Sequence, residues 1–346
     1  RLTPLLLACL FALPAAHAAE PPKYLSAKEI LDASPDADWR TLDPASTLYM
    51  DLPGGRVVIE LAPAFAPEHV ANIRTLAREG FWNGLAIYRS QDNFVVQFGD
   101  ADAEDTARAK PLGTAKTKLP AEFARTGDGV SFTRLPDVDG WAPEVGFVDG
   151  FPVGRDPKTN EVWLAHCYGA LGAGRGGPPD SSNGSELYVV TGQSPRQLDR
   201  NITLVGRVVK GMELLSTIPR GPEPMGFYEN ATERTPITAI RLASEVPEPE
   251  RTPLQVLRTD SKTFAAATEA RRNRRDGWYV RPARPDDEAQ INRILRTRRM
   301  VPVYADFLKE GARHPALLLL VAQEAESGDV LGVVTGVDHT LACGDP

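Results

Sequence analysis

The stretch Ile87-Tyr88-Arg89-Ser90-Gln91-Asp92-Asn93-Phe94-Val95-Val96-Gln97-Phe98-Gly99-Asp100 reads as strand, tight polar turn, strand. Ser90 to Asn93 form the turn, and Phe94 to Phe98 make a short apolar run interrupted by Gln97. A cation, an aromatic ring and an amide therefore stand at fixed offsets along one hairpin. Strict alternation would put Gln97 on the opposite face from Phe94, so an irregular backbone is expected here.

Upstream, Leu48 to Leu52, Pro53-Gly54-Gly55 and Arg56 to Leu61 read as a hairpin, the glycine pair allowing positive φ. Pro67 to Glu79 follows with Val70, Ile73 and Leu76–Ala77 at helical spacing, Pro at its start and Gly80 at its end. Downstream come Trp163 to Gly174, then Ser182-Asn183-Gly184-Ser185-Glu186-Leu187-Tyr188, then Leu198-Asp199 through Gly206-Arg207-Val208, with Gly211-Met212-Glu213 opening a helix and Ile237 to Leu242 as a last strand.

In that order, from about Ser46 to Ser244, the chain resembles the cyclophilin-type peptidyl-prolyl isomerases. Their signature at the first stretch is Phe-His-Arg, a five-residue offset to Phe, two apolar residues, Gln and Gly-Asp. The resemblance implies a mainly β fold: a closed antiparallel β-barrel capped by two helices, occupying residues 46–245. It implies Arg89, Phe94 and Gln97 as catalytic residues. It also implies Val95, Leu171, Gly172, Glu186, Tyr188, Leu198 and Ile202 along the substrate groove.

The chemistry fits those residue types. Rotation of an X-Pro bond is opposed by amide resonance, a barrier of about 18–20 kcal/mol. Lowering it needs a pocket for the proline ring, donors for the preceding carbonyl, and a donor for the proline nitrogen as it pyramidalises. Arg89 is the candidate donor, Phe94 the ring pocket and Gln97 the positioning amide. No cofactor and no metal are required, and the five histidines lack metal-ligand spacing.

Departures from the family pattern bear on activity. Its glutamine becomes Glu186, which when ionised cannot donate to a carbonyl. Its pocket phenylalanine becomes Tyr188, and its substrate-binding Ala-Asn pair aligns with Leu171-Gly172 across a glycine-rich run. Gln197 and Ile202 replace a tryptophan and a histidine or tyrosine, which implies a shallower, wetter pocket and weak inhibition by cyclosporin. A module that binds proline peptides as a holdase with little turnover is the alternative reading.

The rest of the chain is read from composition. Among 346 residues there are 30 Pro and 29 Gly, and the net charge of −7 gives no overall basis for nucleic-acid binding. Residues 1–19, with the apolar run Leu5 to Leu13 and Ala16-His17-Ala18, look like a secretory signal peptide and imply export, to a bacterial periplasm, with no membrane span. After cleavage, Cys167 and Cys343 would stay as two unpaired thiols. Residues 20–45 read as an N-terminal extension.

Residues 126–160, where Gly, Pro and Asp alternate with Phe132, Trp141, Phe147 and Phe151, read as a long loop-like insertion, either a substrate contact or a packed flap. Gly172 to Gly177 matches GxGxxG, but Pro178-Pro179 follows where a phosphate-binding turn needs a helix. Residues 246–277 read as an Arg-rich linker with helical character.

Residues 278–346 read as β-α-β-β: Tyr279 to Asp287, a helix over Glu288 to Arg298, then Leu317 to Gln323 and Val330 to Val337. This resembles a truncated N-terminal part of a GNAT-family acetyltransferase, a small incomplete α/β segment. Its pyrophosphate-holding loop is absent from the sequence, so acetyl-CoA binding is not expected.

Overall fold

The computed structural model describes residues 24–272, 278–297, 317–324 and 330–337. The leader-like run at 1–19, Cys9 and Cys343 lie outside the described residues. The chain falls into two compact units, one spanning Pro35–Ala265 and one holding the remainder.

The first unit is built on a nine-stranded antiparallel sheet. Its strands are β2 (Thr47–Leu52), β3 (Gly55–Leu61), β4 (Ala86–Ser90), β5 (Val95–Gly99), β11 (Ala170–Ala173), β12 (Leu187–Val190), β13 (Leu204–Lys210), β14 (Thr235–Pro236) and β15 (Ala239–Leu242). They lie in the order β14-β4-β5-β12-β11-β13-β3-β2-β15. The sheet curls so that alternate residues share one interior: Leu48 and Met50, Val57 and Ile59, Val96 and Phe98, Leu187 and Val189 are all buried in a single apolar cluster.

Strand order leaves the sheet with two ends, β14 and β15, rather than a ring of paired strands. Those ends are successive pieces of one segment. Ile237 exchanges backbone hydrogen bonds with Gly84 and Leu85 on one side, and Thr238 N donates to Asp51 O on the other.

Helix α2 (Pro67–Arg78) covers the interior with Val70, Ile73 and Leu76, and the short α3 (Met212–Ser216) adds Leu215. Pro67 starts α2 where its missing N–H costs nothing, and Gly80, at φ 65°, takes the left-handed conformation after its end.

The compact unit is wider than 46–245. β1 (Trp39–Thr41) pairs with β16 (Gln255–Leu257), and Leu42, Val246, Leu254 and Val256 pack with Tyr49 and Val58 on the outer face of β2 and β3. Residues 35–45 and 246–265 are thus packed structure, with α4 (Lys262–Arg272) beginning at their end.

The insertion departs most from expectation. It is an antiparallel sheet of β6 (Arg125–Thr126), β7 (Thr133–Leu135), β8 (Glu144–Val148), β9 (Phe151–Asp156) and β10 (Glu161–Leu164), in the order β6-β10-β9-β8-β7. β8 and β9 are joined by Asp149-Gly150, both at positive φ, a two-residue turn that matches strand twist. Val148, Phe151, Val153, Val162 and Leu164 pack on Val95, Tyr188, Val190 and Leu204, the outward side chains of the main sheet. The insertion is a second layer with its own interface.

The second unit contains α1 (Ala27–Asp32), capped by Ser26, and a three-stranded sheet in the order β17-β18-β19 (Trp278–Pro282, Leu317–Glu324, Val330–Val337). Helix α5 (Glu288–Thr297) packs Ile291 and Leu295 against Val321 and Val330. Along the chain the described elements of this region run β17, α5, β18, β19.

Candidate active site

The hairpin β4–β5 carries the irregularity that the alternation argument demanded, but in β4. Ile87 faces Phe98 and Arg89 faces Gln97, so Tyr88 is an extra residue opposite the partner strand. Ile87 points into the apolar interior, while Tyr88 and Arg89, two successive residues, both reach the opposite face. Val95 and Gln97 come to that face by ordinary alternation. Phe94 escapes the alternation because it precedes β5, at the end of a turn in which Asn93 adopts φ 48°. Asn93 Oδ1 accepts from Gln193 N at 2.7 Å, and Phe94 O accepts from Thr191 N at 2.9 Å, which fixes the turn.

These side chains line a cleft of about 760 Å³. Arg89, Phe94 and Gln97 lie along it with Val95, and Glu186, Tyr188, Leu198 and Ile202 join them. Leu171 and Gly172 do not belong to it. Leu171 is fully buried in the sheet interior, and Gly172 lies beneath the Tyr188 ring, where any side chain would collide with it. The backbone that borders the cleft comes a few residues later, at Gly174 to Gly176, and Gly174 N donates to Glu186 O at 2.7 Å. A glycine run offers no side-chain pattern to fix register, so the offset was invisible in the sequence.

Arg89 is held on three sides. Its Nε donates to Met225 O at 2.7 Å, Nη1 to Gln97 Oε1 at 3.0 Å, and Nη2 to Gln91 Oε1. The guanidinium carbon sits 4.8 Å from the Phe227 ring centroid and 5.8 Å from that of Phe94. Burial presses the Arg89 pKa below its ordinary value. From Gln97 the hydrogen bonds run on in one direction: Gln97 Nε2 donates to Tyr88 Oη at 2.6 Å, Tyr88 Oη donates to Glu186 Oε2 at 2.6 Å, and Glu186 Oε1 accepts from Asp100 N at 2.7 Å. Burial pushes the Glu186 carboxyl up to about 7, although the bonds from Tyr88 and Asp100 N oppose it.

Tyr188, in the floor of the cleft, is buried and bonded inward: its Oη lies 2.9 Å from His166 Nε2, and His166 Nδ1 lies 3.0 Å from Asp199 Oδ1. Its hydroxyl is therefore satisfied within the protein. Gln197 is exposed and absent from the cleft lining. The Cys167 thiol is free, and burial raises its pKa. Among the described residues no cluster of three or more His, Cys, Asp or Glu could hold a metal ion, and no helix is long and apolar enough to cross a membrane.

The cyclophilin type peptidyl-prolyl cis-trans isomerase/CLD family model matches residues 47–242, more than half of the chain. The chain belongs to that family. A probable peptidyl-prolyl cis-trans isomerase of Brucella suis biovar 1 (strain 1330) is 30% identical over 209 residues, covering 59% of this chain and 84% of that one. The peptidyl-prolyl cis-trans isomerase-like 1 of Aspergillus niger is 25% identical over 198 residues, covering 57% and 92%. Among solved structures, cyclophilin AquaCyp293 from Hirschia baltica superposes with a TM-score of 0.56 at 27% identity, covering 66% of this chain and 86% of that one. The protein is a cyclophilin-type peptidyl-prolyl cis-trans isomerase with a curled, mainly β sheet and capping helices.

Several residues in and around this cleft carry no clear signal in the sequence. Tyr88 needed the bulge. Phe227 lines the cleft from a Pro- and Gly-rich loop, 219–228, that is remote in sequence, supplies the Met225 carbonyl to Arg89, and is tied to β4 by Ser90 N to Gly226 O and Gly221 N to Ser90 O. His166, one of the five histidines without metal-ligand spacing, lies behind the cleft between Tyr188 and Asp199. Its signal was indirect: it is a buried-type position two residues after the last strand of the insertion.

Proposed function

We propose that this isomerase twists X-Pro bonds without a cofactor, with Arg89 as donor to the proline nitrogen. The observation that carries this reading is the tethering of Arg89 beside Phe94. A guanidinium has five N–H groups, and described residues engage three of them. Two remain for a peptide, on a cation that the Phe227 and Phe94 rings and its hydrogen bonds keep in one orientation. Such a donor is already organised when the nitrogen lone pair develops, and stabilises the twisted state more than the planar one. Phe94, Leu198, Ile202 and Tyr188 form the apolar wall for the ring, and Gln97 orients Arg89.

The curled sheet is read as the closed barrel of the family, with segment 235–242 as its seam. The substrates are proline-containing segments of exported or unfolded polypeptides, and the compartment is the bacterial periplasm; the leader-like composition of residues 1–19 supports both. The β-α-β-β order of β17, α5, β18 and β19 supports the reading of this region as a GNAT-like segment.

The test is isomerisation of a proline tetrapeptide by the parent and Arg89→Ala. A loss of about 10²-fold in kcat/KM, roughly 2.7 kcal/mol of transition-state stabilisation, is expected. Equal turnover in both proteins would remove Arg89 from the mechanism. Near-background rates in both, with peptide still bound, would favour the holdase reading.

A further inference from the structure

We propose that the five-stranded insertion is a positioning element for the proline pocket, acting through a polar chain, buried at its Tyr188 end and partly buried at its Asp139 end, that runs Tyr188–His166–Asp199–Arg196–Asp139. The chain is continuous. Asp199 Oδ1 accepts from the His166 ring at 3.0 Å and from His166 N at 2.9 Å, and its Oδ2 accepts from Arg196 Nε at 2.6 Å. Arg196 then grips Asp139, on the insertion, with a two-pronged contact at 2.8 and 3.1 Å. Asp139 in turn accepts from Trp141 N and Ala142 N, which fixes the loop between β7 and β8.

Donor and acceptor roles follow from the carboxylate. An ionised Asp199 can only accept, so His166 Nδ1 carries a hydrogen, and in the neutral imidazole Nε2 accepts from Tyr188 Oη. Burial raises the Asp199 pKa, but the bonds from His166 and Arg196 outweigh that and hold it below its ordinary value, so it stays the anchor. The imidazole is wholly buried and each of its nitrogens has a partner.

Two further contacts join the insertion to the same wall. Arg200 stacks on the Trp163 ring, 4.5 Å from its centroid. Ile202 and Phe94 pack on the cluster that mixes insertion and main-sheet side chains. Segment 196–202, which carries Leu198 and Ile202 into the cleft, is thus held from behind by the insertion, and the Tyr188 ring is held by its hydroxyl. A pocket wall fixed at both points presents one shape to a proline ring, which acts on binding before it acts on the twisting step.

This rests on the assignment of the proline pocket under Proposed function. The experiment is a double-mutant cycle on the full chain, Asp139→Asn, Tyr188→Phe and both together. It reads kcat and KM for a proline tetrapeptide and Kd for a non-reacting proline peptide, with thermal unfolding alongside. Each single variant is expected to raise KM and Kd about 3- to 10-fold with kcat nearly unchanged, and the double variant little more than either single one, because both cut one chain. Tyr188→Phe keeps the apolar ring, so it reads the chain even where Asp139→Asn lowers the melting temperature. Multiplying effects, or KM within two-fold of the parent in both singles, would overturn the clamp while leaving the pocket intact. A parent that binds no proline peptide would overturn the pocket assignment, and the clamp with it.

Discussion

Tyr88 Oη donates to Glu186 Oε2 across 2.6 Å, and this bond closes a one-way series that starts at the Arg89 guanidinium. Each member donates forward, so the series needs an acceptor at its end, which Glu186 provides with both oxygens occupied. A protonated Glu186 has to donate as well as accept, and the series loses its terminus.

The titration of Glu186 therefore has two opposite consequences. Its pKa rises from 4.5 to about 7 on folding, because burial penalises the charge. A raised folded pKa means that the folded state binds the proton more tightly. Its stabilisation is full below pH 4.5 and is lost as pH rises through about 7. Activity should move the other way, with kcat/KM rising with pH through about 7 as the ionised carboxylate fixes Tyr88, Gln97 and Arg89. Glu186→Gln should flatten both profiles in that window. A parent profile that is flat from pH 6 to 8 would exclude the coupling.

The Phe227 ring lies against two residues of the cleft, 4.8 Å from the Arg89 guanidinium carbon and 6.0 Å from the Tyr88 ring in a stacked pose. The side chain is 43% exposed, so truncation removes contact without opening a core cavity. Phe227→Ala should leave the unfolding midpoint nearly unchanged and lower kcat/KM about 3- to 10-fold through loss of a partly exposed cation–π contact of about 0.5–1 kcal/mol and freer motion of Arg89. Steady-state kinetics beside a urea melt separates this from a folding defect.

Gly172 is required by close approach rather than by backbone conformation, since a Cβ there would enter the Tyr188 ring. Gly172→Ala should therefore push that ring toward the cleft. Overpacking of this kind typically costs about 1–3 kcal/mol. The expected signature is a lowered melting temperature together with weaker binding of proline peptides. Unchanged peptide affinity would show that the floor of the cleft yields elsewhere.

Much of this site was legible because its residues belong to one hairpin and two short blocks. Arg89, Phe94 and Gln97 stand in a pattern of offsets, and Glu186 and Tyr188 follow an Asn-Gly-Ser block that fixes their register. Leu171 and Gly172 were misplaced because the glycine run 172–177 carries no side-chain alternation. Tyr88 was missed because a bulge, not the sequence period, turns it to the cleft. The insertion has loop-like composition, yet Asp149-Gly150, flanked by Glu144 to Val148 and Phe151 to Asp156, is a strong hairpin signal. Pro152, Gly146 and Gly154 within those strands hid their β character.

The insertion hairpin is also tied to the main sheet by an acid whose removal should be costly. Glu60 on β3 is buried and accepts from Arg207 Nε at 3.0 Å and Nη2 at 2.8 Å, and from Arg40 Nη2 at 2.6 Å. The same two arginines reach the turn between β8 and β9, Arg40 donating to Asp149 O at 2.8 Å and Arg207 to Gly150 O. Glu60 thus neutralises the cations that hold the turn, and its loss leaves both without a counter-charge in a partly dry site. Removing one partner of a fully buried pair costs about 3–5 kcal/mol. Here the arginine side chains are 22% and 30% exposed, so water recovers part of that. Glu60→Ala should cost about 2–3 kcal/mol by urea unfolding. Amide hydrogen exchange should accelerate first in β8 and β9, before the main sheet. Uniform acceleration across both sheets would mean that the two layers unfold as one, and that Glu60 supports the whole unit rather than the seam between them.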